Sequence, residues 1–306
     1  MREHAQKFSS FPELAASRKK TGEQDLESEL RKNNSLRALA DFYGEISKRE
    51  SWEIDSLQAL GRHLGARYPN AREECSVFSG ILQSLYLQRV VDKKRKEKHL
   101  DYNSEIKKNF AEYNYLISHF FIGLPQSPQS ASYGKHFWKA FSGMSERLGL
   151  GKELNLLRAG VMGQVAVYKA LRVIGEKPEL SLPREDVSEK IDLWNAKKES
   201  DAGVFQIKTS AAQQTSVILE ESEWLDFPSV KTKSSPISER HFVEKSFGKM
   251  NAFSVAVKEY GRVLGKNIKA WYISLPTRAI DYATGEVSAD VLEELRRKIK
   301  ALPKSE

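Results

Sequence analysis

The sequence predicts an α/β fold, a sheet with helices packed on its faces, preceded by an all-helical N-terminal segment. Three observations predict it. Apolar residues recur at three- and four-residue intervals as far as about residue 122. A stretch rich in Pro and Ser, Leu124-Pro125-Gln126-Ser127-Pro128-Gln129-Ser130-Ala131-Ser132, then interrupts that period. Beyond it the segments read helix, strand, strand, helix, strand, helix, the mixed order of a sheet with helices on its faces.

Taken in order, residues 1–30 are polar and charged, with Arg18-Lys19-Lys20 and few large apolar side chains, and read as a flexible N-terminus. Residues 31–122 read as a helical domain. Leu36, Leu39, Phe42, Tyr43 and Ile46 mark its first helix; Ile54, Leu57, Leu60 and Leu64 mark the second, with Ser51 as its expected N-cap. Phe78, Leu82, Leu85 and Val90 mark a third, which runs into the basic stretch Lys93-Lys94-Arg95-Lys96-Glu97-Lys98. Those charges suit either phosphate contacts or the negative end of the helix dipole. Ile106, Phe110, Tyr113, Ile117 and Phe121 mark a fourth. Residues 123–150 read as linker and lead-in, and residues 151–306 as the α/β domain.

That domain opens with a helix over 152–175, carrying Leu154, Leu157, Val161, Val165, Tyr168 and Leu171 on one face. Gly160, Gly163 and Ala166 would let it approach a sheet closely. Two strands are expected at Val187–Trp194 and Gly203–Lys208, joined by a polar connection. A helix through Met250, Phe253, Val257, Tyr260 and Leu264 follows. A strand from Ala270 to Leu275, stopped by Pro276, and a helix from about Ser288 through Leu292, Leu295 and Ile299 complete the order.

The composition narrows the function classes. Hydrophobic residues make up 40% of the chain and aromatics 10%, enough for a real core. No run of about 18 apolar residues is present, so no membrane span is expected, and a cytoplasmic protein is the simplest expectation. The single cysteine, Cys75, excludes an internal disulfide and a cysteine zinc cluster, and reads as a small buried hydrophobe. The six histidines, His119, His136 and His241 among them, show no metal-ligand spacing. Lysine and arginine number 49 against 41 acidic residues, a net charge of +8 that favours polyanionic partners.

The chemistry is concentrated in the two expected strands. Side chains alternate, so Ile191 and Leu193 should share one face with Phe205 and Ile207, while Lys190, Asp192, Gln206 and Lys208 share the other. Residue 199 lies midway between Asp192 and Gln206, inside the polar connection. An antiparallel hairpin would therefore set Asp192 opposite Gln206, with Cβ atoms about 5 Å apart. Lys208 would lie about 6–7 Å further along the same face. A carboxylate, an amide oxygen and an ammonium gathered in this way suit phosphodiester hydrolysis. Asp192 and Gln206 would be oxygen ligands for a hard cation, and Lys208 would serve the attacking water or the transition state. The competing reading is an ordinary cross-strand ion pair between Asp192 and Lys208, contributing at most about 1 kcal/mol.

Ile191-Asp192 followed by Val204-Phe205-Gln206-Ile207-Lys208 resembles the PD-(D/E)xK nuclease superfamily in its Q-x-K variant, over about residues 150–276. The resemblance implies a restriction-endonuclease-like core, a central mixed sheet flanked by helices, for residues 151–306. It also implies an acidic residue on the first helix, soon after a glycine. The matching stretch, Gly160 to Lys169, has Gln164 at that position. Glu153, Glu185, Asp186 and Glu189 are nearby carboxylates that could substitute, and spacing does not single one out.

The expectation is thus a Mg²⁺- or Mn²⁺-dependent endonuclease acting on DNA, with RNA also admissible, and with the helical domain for targeting. Asp192 and Gln206 would hold the metal, and Lys208 and Gln164 would complete the catalytic set. The family implies a homodimer where both strands are cut. Lys231, Lys233, Arg240 and Lys245 are candidate backbone contacts, and Trp194 could stack on a base. The alternatives are a catalytically degenerate nuclease fold that binds nucleic acid or a partner, and a helical interaction protein with an α/β scaffold.

Overall fold

The computed structural model describes residues 23–96, 104–124, 127–197, 201–225 and 237–300. Six helices lead: α1 (Glu23–Ile46), α2 (Ile54–Arg67), α3 (Arg72–Lys96), α4 (Ser104–Gly123), α5 (Pro128–Arg147) and α6 (Gly151–Val173). Then come β1 (Pro178–Leu180), the short helix α7 (Pro183–Glu189), β2 (Leu193–Asn195), β3 (Asp201–Ser210) and β4 (Val217–Glu220). The chain ends with α8 (Glu221–Leu225), α9 (Ile237–Leu264), β5 (Asn267–Pro276), the small strands β6 (Ile280–Asp281) and β7 (Glu286–Val287), and α10 (Ala289–Lys300). No described helix is long and apolar enough to cross a membrane.

The helical periods of the sequence became buried faces. Leu39, Phe42, Ile46, Leu57, Leu64, Phe78, Leu82, Leu85, Ile117 and Phe121 are all buried, and Cys75 is buried among them. Burial pushes the Cys75 thiol up to about 12, which keeps it protonated and inert. The expected N-cap Ser51 is not the cap of α2. Glu53 holds that position, without a side-chain hydrogen bond.

The stretch expected to be linker and lead-in, 123–150, is mostly helix. Ser127 is the N-cap of α5, its side chain accepting from the Ser130 amide at 3.1 Å, and Pro128 sits at the first turn, where its missing N–H costs nothing. The same Ser-Pro pair that looks like a breaker is a helix start. Phe137, Trp138 and Phe141 of α5 are buried against Phe78 and Phe121, with Phe121 stacked on Trp138 at 5.2 Å. One continuous apolar core then runs from α1 through α6 to the sheet and α10.

The five-stranded sheet has the order β1-β2-β3-β5-β4. Neighbours are antiparallel except β3 and β5, which run parallel. Alternation along the strands splits the side chains between two layers. Leu193, Phe205, Ile207, Ile218, Trp271, Ile273 and Leu275 face the core that contains α6. Trp194, Val204, Val217, Leu219, Ala270 and Tyr272 pack with Met250, Phe253 and Val257 of α9. The molecule is therefore a mixed α/β structure with its sheet flanked by helices. At Gly163 an added Cβ would stand 2.6 Å from Thr209 Cγ2, so α6 lies directly on β3 there.

The strand expected over Val187–Trp194 is corrected. Pro183 starts a helix instead, and the Glu185 carboxylate accepts from the Leu182 amide at 2.7 Å, which secures its first turn. Lys190 ends it in the left-handed region, at φ 60°. That turn leaves extended chain only from residue 191. It also sends Ile191 into the layer under α9 with Trp194, rather than beside Leu193.

Candidate active site

The pairing of β2 with β3 is the one that the spacing predicts. Leu193 faces Phe205, Trp194 faces Val204 and Asn195 faces Gly203. The Asp192 amide donates to the Phe205 carbonyl at 2.9 Å, so the regular pairing stops at Leu193 and the expected pair of Asp192 with Gln206 is not formed. The side chains of Asp192 and Gln206 have different surroundings. Asp192 lines a cavity of about 650 Å³ with Lys208, Gln164 and Asp186, while Gln206 is not among the residues that line it.

Asp192 is 7% exposed and held on three sides. Its Oδ2 accepts from the Ile207 amide at 2.5 Å and has the Lys208 ammonium at 3.8 Å. Its Oδ1 accepts from Gln164 Nε2 at 2.9 Å. Gln164 is fixed in turn, since Ser118 of α4 donates to its Oε1 at 2.9 Å. Residues from α4, α6 and the β2–β3 edge thus lock one carboxylate in one orientation. The Lys208 side chain is 46% exposed, so its pairing with Asp192 adds little stability and leaves the ammonium accessible.

The structure singles out one of the four neighbouring carboxylates. Asp186, on α7, lines the cavity beside Asp192. Burial, then the negative charge of Asp192, push its carboxyl up to about 7, and Lys208 opposes the shift. Glu153 is instead paired with Arg89 at 3.3 Å. Glu185 is occupied structurally: it accepts from Trp194 Nε1, Lys197 Nζ and the Tyr260 hydroxyl at 3.2, 2.7 and 3.2 Å. Glu189, the last residue of α7, does not line the cavity. A clue to Asp186 was in the sequence. Once Pro183 is read as a helix start, Glu185 and Asp186 become adjacent helical positions that point in different directions.

Gln206 is 6% exposed; its Nε2 donates to the Lys190 carbonyl at 3.3 Å, and its Oε1 is buried without a hydrogen-bond partner. The Gln206 oxygen is therefore not gathered with the cavity carboxylates; Asp192 and Asp186 by themselves fit a hard divalent cation, which commonly takes one or two carboxylates and keeps several waters. Among the described residues, no group of three or more His, Cys, Asp or Glu side chains is gathered as a metal site.

Trp194 is not placed to stack on a base. It is fully buried, with the Lys197 ammonium 5.0 Å from its ring centre. Lys231 and Lys233 lie outside the described residues, and so do the side chains of Arg240 and Lys245 on α9. The part of the site that sequence reasoning missed is its far wall. Gln88 of α3 and Lys107, Phe110 and Asn114 of α4 line the same cavity as Asp192. Helical spacing made α4 an element of the bundle; nothing local showed that its other face would look onto the sheet edge. No protein-family model, curated protein or solved structure matches the chain.

Proposed function

We propose that this protein is a metal-dependent nuclease with a PD-(D/E)xK-like core of the Q-x-K variant, hydrolysing phosphodiester bonds in DNA. The observation that carries the reading is the hairpin register. It brings Asp192 and Lys208 together at a cavity, with the equivalent helix position, Gln164, bonded to Asp192. Asp192 is the anchoring cation ligand. Asp186, from α7, supplies the second carboxylate that the family places on the first helix. Gln164 is a positioning residue that fixes Asp192. Mg²⁺ or Mn²⁺, when bound, would polarise the phosphate and make a bound water more acidic. The Lys208 ammonium then faces the attacking water or the charge that builds on the phosphoryl oxygens.

One observation favours a second reading, a nuclease fold kept for binding. Gln164 is neutral, and its amide occupies Asp192 Oδ1, so the charge available to a cation is smaller than an acidic residue there would give. Incubation of plasmid, single-stranded and branched DNA with Mg²⁺ or Mn²⁺ separates the two. Metal-dependent cutting is expected, falling by about 100-fold or more in Asp192→Ala and in Lys208→Ala. Salt-sensitive DNA binding without cutting by the intact protein establishes the second reading. Absence of both binding and cutting removes each of them.

A further inference from the structure

The cavity in front of Asp192 has two helical walls, and they are chemically different. The walls meet where Ser118 of α4 donates to Gln164 of α6. Working back from that contact towards the N-terminal end of each helix, α4 lines the cavity with Asn114, Phe110 and Lys107, and α6 lines it with Gly160 and Leu156. Lys107, Phe110 and Asn114 are three and four residues apart, so they fall on one face of α4. That face offers a cation, an aromatic ring and an amide in sequence. The Asn114 Oδ1 atom is buried without a hydrogen-bond partner. Leu156 is apolar and 50% exposed, and Gly160 has open space where a side chain would stand.

This order of groups matches one nucleotide of a single strand: a phosphate for a lysine, a base face for a phenylalanine, and a base amino group for an unpartnered carbonyl oxygen. In an intact duplex the bases are stacked and paired, so neither a base face nor a base amino group is free to meet Phe110 and Asn114, and the carboxylate beyond them is 7% exposed.

We infer that the cleft between α4 and α6 is a single-strand binding site, in which Phe110 stacks on a base and the helical bundle selects unpaired DNA over duplex. The inference deepens the nuclease reading and rests on it. It also gives the bundle a role in substrate choice at the site itself.

The test measures binding of the full chain in EDTA and low salt, where nothing is cut. Fluorescence anisotropy would compare a labelled single-stranded 12-mer of mixed sequence with the same 12-mer as a blunt duplex. The single strand is expected to bind at least about tenfold tighter, and Phe110→Ala to lose about tenfold of that affinity, the scale of one stacked base. Gly160→Leu serves as a second variant, because its side chain grows into open cleft and leaves packing intact. It should weaken single-strand binding by a similar factor without lowering Tm. Duplex bound as tightly as the single strand, or wild-type affinity in the Gly160→Leu variant, overturns the inference. Where that happens while metal-dependent cutting persists, the nuclease reading stands without it. Failure to bind either form overturns the inference, and overturns the nuclease reading as well only where metal-dependent cutting is also absent.

Discussion

Glu185 and Asp186 are neighbours on α7, and their carboxylates meet opposite environments. Glu185 accepts hydrogen bonds from Leu182, Trp194, Lys197 and Tyr260. Asp186 sits in the cavity with a like charge as its neighbour, and burial and Asp192 raise its pKa to about 7. A raised pKa means that the folded state holds a proton that the unfolded chain has lost between about pH 4 and pH 7. The ionised form therefore costs stability, increasingly as pH rises through that window. Asp186→Asn should leave the unfolding free energy nearly unchanged at pH 4 and raise it at pH 8, by about 1–2 kcal/mol after solvent screening. Thermal unfolding of the metal-free protein across pH would show it. A variant less stable at pH 8 would mean that Asp186 is held by favourable partners and is not strained for a ligand.

Among the elements, α6 sets the site's dimensions. Its apolar face, Leu154, Leu157, Val161, Val165 and Leu171, is buried against both the bundle and the sheet. Its two glycines serve different ends. At Gly163 there is no room: Thr209 of β3 stands where a Cβ would be, one residue beyond Lys208. Gly163→Ala should cost about 1–3 kcal/mol through overpacking, and Gly163→Val more, read as a lower denaturant midpoint at unchanged m-value. Because the strain pushes on β3 beside Lys208, the DNA cutting proposed for this site should fall further than stability explains. At Gly160 the space is open, which is why that position suits a probe of the cleft. Unchanged stability in Gly163→Ala would show that α6 does not sit on β3 as closely as described.

For the whole molecule, the decisive feature is that one core joins the helical half to the sheet. Tyr133 of α5 exchanges a hydrogen bond with Ser35 of α1 at 2.7 Å, while Gly134 next to it lies so close to the Ala283 carbonyl that no Cβ would fit. Helix α5 is thus clamped between the first helix and the C-terminal β6–β7 turn. A fragment of residues 151–306 would expose Leu154, Leu157 and their neighbours, each worth roughly 1.5–3 kcal/mol of burial. It should give no cooperative thermal transition by circular dichroism, and the intact chain should unfold in a single one. A stable, cooperatively unfolding fragment would restore a two-domain description with a boundary near residue 124. The shared core also fixes the cleft, since α4 must stay on the sheet edge for Ser118 to reach Gln164.

Local periodicity determined the long helices other than α5, and β5, because an amphipathic face can be read from spacing alone. It also determined the register of β2 on β3: the spacing that predicts a hairpin about residue 199 is the one that sets Leu193 opposite Phe205. The same reasoning grouped Asp192, Gln206 and Lys208, and the resemblance added Gln164; the structure places Gln164 on Asp192 by a hydrogen bond and leaves Gln206 outside their cavity. Short elements were not legible. β1 and β4 span three and four residues, too few to show a period, and α7 hid behind Val187 and Ile191, which look like strand. Only the tertiary structure decided that Asp186 rather than Glu153, Glu185 or Glu189 joins Asp192, since that choice depends on what fills the other sides of each carboxylate. It also decided that α5 closes the gap between two expected domains and that α4 faces the site. Those outcomes depend on contacts between residues far apart in sequence, such as Ser35 with Tyr133 and Ser118 with Gln164, and no local pattern records which distant surface an apolar or polar face will meet.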